Sequence, residues 1–283
     1  MRITVNGTSL YFDVEGMGLV PDGPTMRAKP TLILLHGGPG FDHSMFKPIF
    51  SILSDVAQII YLDHRGNGRS VNHDASTWML AQWGDDVKAF CDALGIERPI
   101  VYGLSFGGFV AQSYATRHPD HPGKLILAST AARRDLAPVL AAFQRIGGTT
   151  ARDAAEHFWT NPTPETRAIY IRVCHPLYRT KPGDTSDASA RRIVNNDVVM
   201  HFNGPGSEYH TMDFRPFLGK IRCPTLVLAG DRDPITPITF SEEIVASLPA
   251  HLVRFERFTD CGHGVHWDDP ERAFAVIREF ILQ

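Results

Sequence analysis

The chain has 283 residues, long enough for one large domain or for a core carrying an inserted lobe. Its apolar share of 43% and charged share of 21% are those of an ordinary globular protein. A net charge of −3 offers no basic field for nucleic acid and no acidic tail, so a polyanion-binding role is excluded.

The opening residues, Met1 to Gly7, lack the continuous apolar stretch of a signal peptide. No window has the run of apolar residues that a membrane helix needs, so no membrane partner is expected. Cys91, Cys174, Cys223 and Cys261 are scattered and form no CxxC pair. Neither a disulfide framework nor a metal site is therefore expected, and a reducing cytoplasm is the simplest setting.

Taken in order, the chain begins as a hairpin. Ile3 and Val5 alternate with polar residues, Asn6-Gly7 supplies a turn of positive φ, and Leu10 to Val14 returns. Residues 16–30 are rich in Gly and Pro and read as a loop. Short apolar runs then predict buried parallel strands at Thr31–Leu35, Gln58–Leu62, Pro99–Tyr102, Lys124–Ala128, Thr225–Ala229 and Leu252–Phe255. Between them, Trp83, Val87, Phe90, Cys91 and Leu94 form one helical stripe that Gly95 stops. A helix over Gly108–Arg117 follows the third of these strands. Thr236-Pro237 predicts an N-cap followed by Pro at the first helical position, ahead of Ile238 to Leu248. Asp269-Pro270 repeats the device before a last helix whose Phe274, Ile277 and Ile281 face inward. Alternating strands and helices imply a mostly parallel sheet covered on both faces. Residues 131–213 break the rhythm with several helical patterns and no clear strand. The expected layout is a core of 1–130 and 214–283 with a helical cap of 131–213 inserted between two strands.

The strongest local signal is Gly103-Leu104-Ser105-Phe106-Gly107, a G-x-S-x-G elbow placed after an apolar strand and before a helix. The glycines permit a sharp turn, and the serine stands where free N–H groups of a helix start face a developing negative charge. A serine hydroxyl needs a base, and the base needs an orienting acid. In this architecture the acid and then the histidine follow the serine in the chain. Asp231 and Asp233 both follow the strand Thr225–Ala229, at the carboxyl edge where ligands bind. Asp233 is preferred, because Asp231 abuts the strand end and suits a turn cap. His263, between Gly262 and Gly264 after the next strand, is the expected base; His266 is its competitor, and His251 falls at the wrong end of its strand. Oxyanion donors are expected from the N–H of Phe106 and from His36-Gly37-Gly38-Pro39-Gly40, with Gly38 as donor, Gly37 in reserve and His36 ordering the loop.

His36-Gly-Gly-Pro-Gly40, Asp63-His-Arg-Gly-Asn-Gly-Arg-Ser70 and Gly103-Leu-Ser-Phe-Gly-Gly108 together resemble the proline iminopeptidase branch of the α/β-hydrolases, over nearly the whole chain. The resemblance implies an α/β-hydrolase fold with a serine triad under a helical cap and no metal or organic cofactor. It also implies a small-molecule or short-peptide substrate, typically one that loses an N-terminal proline. In such peptidases cap carboxylates hold the substrate's α-ammonium group. Residues 203–209 are similar to a cap segment that carries one such glutamate, which makes Glu208 a candidate. The second glutamate, expected directly after the acid, is here Pro234, and Asp63-His64-Arg65 departs from the more usual Asp-Gln-Arg. Other proteins with this signature hydrolyse esters, lactones (N-acyl-homoserine lactones among them) or N-acyl amides. An aromatic cap containing Phe143, Phe158, Trp159, Tyr170, Tyr178, Phe202 and Tyr209 suits an acyl chain as well as a proline ring. Trp159, Tyr209 and Gly37 join Glu208 as candidate substrate contacts. Serine in place of an aspartate nucleophile argues against epoxide opening and halide displacement. The intact triad argues against a purely non-catalytic binding role. The oligomeric state stays open.

Overall fold

The computed structural model describes residues 1–70, 74–181 and 186–283. Strands β1 (Arg2–Val5) and β2 (Thr8–Glu15) form the expected hairpin. Asn6 and Gly7 turn it at φ 45° and 72°. The stretch read as a loop instead contains a two-stranded ribbon, β3 (Leu19–Asp22) with β4 (Thr25–Ala28). Nearly all its residues are exposed, so no buried face leaves an alternation to read.

The predicted apolar runs become β5 (Thr31–Leu35), β6 (Gln58–Leu62), β7 (Ile100–Leu104), β8 (Lys124–Ala128), β9 (Thr225–Gly230) and β10 (Val253–Phe258). The main sheet has the order β1-β2-β6-β5-β7-β8-β9-β10, parallel from β6 to β10, with β2 antiparallel on β6. Its central strands, β5 to β9, are almost wholly apolar because both faces are covered. Ile33, Leu35, Val101, Leu125 and Leu127 belong to one core; Leu32, Leu34, Tyr102, Leu104 and Ile126 belong to the other. Helix α1 (Leu80–Leu94) buries Trp83, Val87, Phe90 and Cys91 and stops at Gly95, φ 64°. Leu94, placed in that stripe by its spacing, is instead 39% exposed. Helix α2 (Phe106–Arg117) packs on α1 and on β7.

Between β8 and β9 the described residues form helices: α3 (Leu136–Thr160), kinked at Gly148, then α4 (Pro164–Val173), α5 (Ser186–Arg191), α6 (Asn196–Asn203) and α7 (Arg215–Leu218). An isolated antiparallel bridge, Arg133 to Asp213, ties the two ends of the proposed cap, residues 131–213. The chain closes with α8 (Ile238–Ser247), α9 (Val265–Asp268) and α10 (Pro270–Leu282). Asp269 caps α10 by accepting from the Arg272 N–H, with Pro270 at the first helical position. No described helix is long and apolar enough to cross a membrane.

The strand order fixes where chemistry can occur. From β5 the chain moves to β6 on one side and then returns to β7 on the other, so the carboxyl ends of β5 and β7 flank the crevice where the order reverses. Leu35 pairs with Gly103 in register, which brings the loop starting at His36 beside the elbow at Ser105.

Candidate active site

Ser105 sits between β7 and α2 with φ 54° and ψ −117°, a region that L residues rarely occupy. The turn is tight enough to require its glycines. A Cβ on Gly107 would lie 2.0 Å from the Leu35 carbonyl oxygen, and one on Gly103 would lie 2.5 Å from that of Gly107. The Ser105 carbonyl accepts from the Gly108 N–H and from the Thr130 hydroxyl, each at 2.8 Å, which holds the strained residue in place.

Asp233 lies past the end of β9 and is buried. Its Oδ1 accepts the N–H groups of Ile235 and Thr236, both at 2.8 Å. Its Oδ2 accepts the Thr236 hydroxyl at 2.7 Å and faces His263 Nδ1 at 2.8 Å. Thr236 therefore does not cap α8 as its position suggested; Pro237 takes that place, and the Thr236 hydroxyl is used on the carboxylate. Asp231 is exposed.

His263 projects from the loop between β10 and α9. Its N–H donates to the Tyr178 carbonyl at 2.6 Å, the Gly264 N–H donates to Ser129 Oγ at 3.0 Å, and the Tyr178 ring meets the imidazole edge-on at 5.3 Å. A Cβ on Gly262 would lie 2.2 Å from that same Tyr178 oxygen. A carboxylate facing Nδ1 favours the tautomer of the neutral ring that carries its proton there, with Nε2 as acceptor. Ser105 and His263 line one cavity without hydrogen-bonding to each other. The competitor His266 is fully buried among Phe50, Tyr102 and Trp267, and burial holds its pKa down at about 3.

The Gly37 N–H donates to Met45 Sδ at 3.2 Å. The N–H groups of Gly38 and Phe106 have no partner among the described residues, which leaves both available to an oxyanion. His36 orders this loop. Its Nε2 accepts from the His64 N–H at 3.2 Å and its Nδ1 donates to the Gly37 carbonyl at 2.8 Å. Burial, the largest influence, keeps that ring neutral. The segment Asp63–Ser70 is scaffold: Arg65 clamps Asp86 through two contacts of 2.7 Å, and Asp63 accepts from His43 and from the Arg69 N–H. Asp42, His43 and Asp63 are spaced as metal ligands could be, but both carboxylates are committed, Asp42 to Arg69 and Ser44, and the cluster lies outside the cavity.

The cavity measures about 720 Å³ and is walled largely by residues of the segment 131–213. Gly37, Trp159 and Tyr209 line it. Glu208 does not. Its Oε2 accepts the Leu80 N–H at 2.6 Å, capping α1 in a separate depression, because the short turn at Glu208–His210 faces α1 while the adjacent Tyr209 ring faces the cavity. Sequence reasoning missed the cavity's cations, among them Arg167 and Arg192. One arginine in a helical cap looks like any solvated arginine, and only the fold shows that these converge.

The family model of the alpha/beta hydrolase fold matches residues 30–270. The chain belongs to the α/β-hydrolase fold family. Within that family it is 28% identical to the proline iminopeptidase PfmaB of Pestalotiopsis fici, over 99% of this chain and 98% of that one. It is 26% identical to a 2-hydroxy-6-oxononadienedioate/2-hydroxy-6-oxononatrienedioate hydrolase of Paraburkholderia phymatum, with the same coverage of each chain. Among solved structures, proline iminopeptidase from Mycobacterium smegmatis superposes with a TM-score of 0.79 at 24% identity, covering 100% of this chain and 97% of that one. The α/β-hydrolase fold is common to them all, and the proline iminopeptidase-like branch is among the similar proteins.

Proposed function

We propose that this hydrolase cleaves a small ester or amide through an acyl-enzyme on Ser105, with His263 as base and Asp233 as its orienting acid. The observation that carries the reading is the 2.8 Å contact of buried Asp233 with His263, which lines the same cavity as Ser105. His263 Nε2 takes the Ser105 proton as Oγ adds to the carbonyl carbon. The carbonyl oxygen, now negative, is met by the N–H groups of Gly38 and Phe106. His263 then returns the proton to the leaving group as the tetrahedral centre collapses, and water hydrolyses the acyl-enzyme by the same steps.

The cavity favours one side of the family's range. An aminopeptidase needs a free carboxylate for a cationic α-amine. Here Glu208 is engaged with α1, and the single carboxylate of the lining among the described residues, Asp135, is paired with Arg133. We therefore read the substrate as one without a free α-ammonium group: an ester, a lactone or an acylated amide. The aminopeptidase reading keeps the support of the proline iminopeptidase relative. Two experiments test the proposal. A fluorophosphonate probe should add its mass to the wild type and not to Ser105→Ala. In a panel of p-nitrophenyl esters, lactones, proline anilide and N-acyl-proline anilide, free-amine anilide as the best substrate would defeat the substrate assignment. Unlabelled wild type would defeat the mechanism.

A further inference from the structure

Among the described residues, the cavity that holds Ser105 and His263 is lined by five arginines and one lysine, against the single carboxylate of Asp135. Three of the arginines already have work. Arg133 pairs with Asp135 at 2.9 Å and Glu243 at 2.7 Å. Arg134 donates to the Trp159 carbonyl at 3.0 Å and lies over the Tyr209 ring. Arg179 stands 3.9 Å from Asp268 and reaches the Trp267 carbonyl at 3.3 Å. Arg167 and Arg192 differ, because neither guanidinium has a hydrogen bond or ion pair with any described residue. Arg192 packs over the Phe41 ring at 4.5 Å, with its Nε buried and unpartnered.

These two charges share one region. Burial lowers the pKa of both, and Arg167 lowers that of Arg192 further, against Asp42, which is already bound by Arg69 at 2.9 Å. Beside them, burial first and then Arg192, His263 and Arg167 hold His175 down at about 4, so it stays neutral. Both guanidiniums line the same cavity as Ser105 and His263. Two cations half-withdrawn from water, neither paired with a carboxylate of the described residues, are costly to bury. A planar carboxylate relieves that cost, since it accepts from both forks at once.

We propose that the substrate cleaved at Ser105 carries a carboxylate remote from the scissile carbonyl, and that Arg167 and Arg192 bind it. The cleavage itself rests on the function proposed above; the anion site does not. The apolar wall of Phe158, Trp159 and Tyr209 would take the carbon chain between the two ends.

The test compares p-nitrophenyl hydrogen adipate with p-nitrophenyl hexanoate and p-nitrophenyl 6-aminohexanoate, which differ mainly in terminal charge. Wild type should favour the adipate half-ester by about tenfold or more in kcat/KM, chiefly through KM, with the aminohexanoate poorest. Arg167→Gln and Arg192→Gln should each cut the adipate-to-hexanoate ratio by roughly thirtyfold, and Arg192→Lys should restore part of it. Binding is read separately by tryptophan fluorescence, since Trp159 and Trp267 line the cavity. Titration with adipate should saturate, titration with adipamide should not, and the Gln variants should lose the response. If neither ester is hydrolysed while adipate still binds, the Ser105 mechanism fails and the anion site stands. Equal turnover of charged and neutral esters, loss of both alike in the variants, or no adipate binding would overturn the anion site.

Discussion

A positive φ at Ser105 is tolerated because Thr130 and the first turn of α2 hold its carbonyl, and the same strain presents Oγ to the cavity. Replacing Ser105 or His263 by Ala should lower kcat by about 10³-fold or more on the best ester, with circular dichroism unchanged. Asp233→Asn should be comparably severe, since an amide can donate to Nδ1 and so favour the tautomer that leaves Nε2 unable to take a proton. Asp231→Asn should stay within about twofold, because Asp231 is exposed and outside the cavity. A larger loss in Asp231→Asn than in Asp233→Asn would transfer the acid role. Glu208 gives the opposite pattern. Glu208→Ala should cost ~1 kcal/mol in urea unfolding, from the lost cap on α1, and should leave ester turnover near wild type. A selective collapse of turnover would return Glu208 to the site. Gly, Ser, Asp and His at fixed chain order made the expected triad legible from sequence, since that chemistry tolerates few residue types. Glu208 and Arg192 were not legible, because a carboxylate or guanidinium near the cap can face either way and only packing decides.

At the scale of elements, apolar continuity placed the five central parallel strands, β5 to β9, because strands covered on both faces need it; the edge strand β10, with Arg254, Glu256 and Arg257, showed only the short run Leu252–Phe255. What it could not show was β3 with β4, whose ribbon buries almost nothing, nor the diversion of Thr236 from helix cap to carboxylate partner. Both are decided by contacts remote in sequence or by hydrogen bonds that leave no periodicity. The elbow glycines make a sharper claim than their motif alone. Gly107→Ala places a methyl 2.0 Å from the Leu35 backbone oxygen, where no flexible side chain can yield. The β5–α2 contact must open, at a cost of roughly 2–4 kcal/mol, with the Gly38 and Phe106 donors moved apart. Gly7→Ala, by contrast, meets no atom within 4 Å and carries only the strain of its φ of 72°, so it should cost about 1–2 kcal/mol. Urea midpoints of the two variants check the ranking, and an undisturbed Gly107→Ala would contradict the packing at the elbow.

Across the whole molecule, buried titratable groups set a window of stability. His36, His64, His175 and His266 are held below the ordinary imidazole range, with burial the first cause in each; His175 is at about 4 and His266 at about 3. The unfolded chain takes up protons on these rings from about pH 6.5 downward, while the folded chain does not. Their contribution is therefore complete above about pH 6.5 and is lost as pH falls towards 4 and then 3. On the alkaline side, burial raises the Cys91 and Cys174 thiols to about 12 and Cys223 to about 11. Unfolded thiols ionise near ~8.5, so their contribution is complete below that value and declines as pH rises towards 11 and 12. Stability should accordingly be flat between about pH 6.5 and 8.5 and fall on both sides, with the acid slope positive in pH. His266→Gln should flatten the acid limb measured by urea unfolding between pH 7 and pH 4, even where it lowers stability at pH 7, because one proton-linked site is removed. The same burial makes a kinetic claim. All four cysteines are buried and free, so Ellman's reagent should titrate them at the rate of unfolding rather than in the native state. Fast native labelling, or an acid limb unchanged by His266→Gln, would show that these groups are more open to solvent than their packing implies.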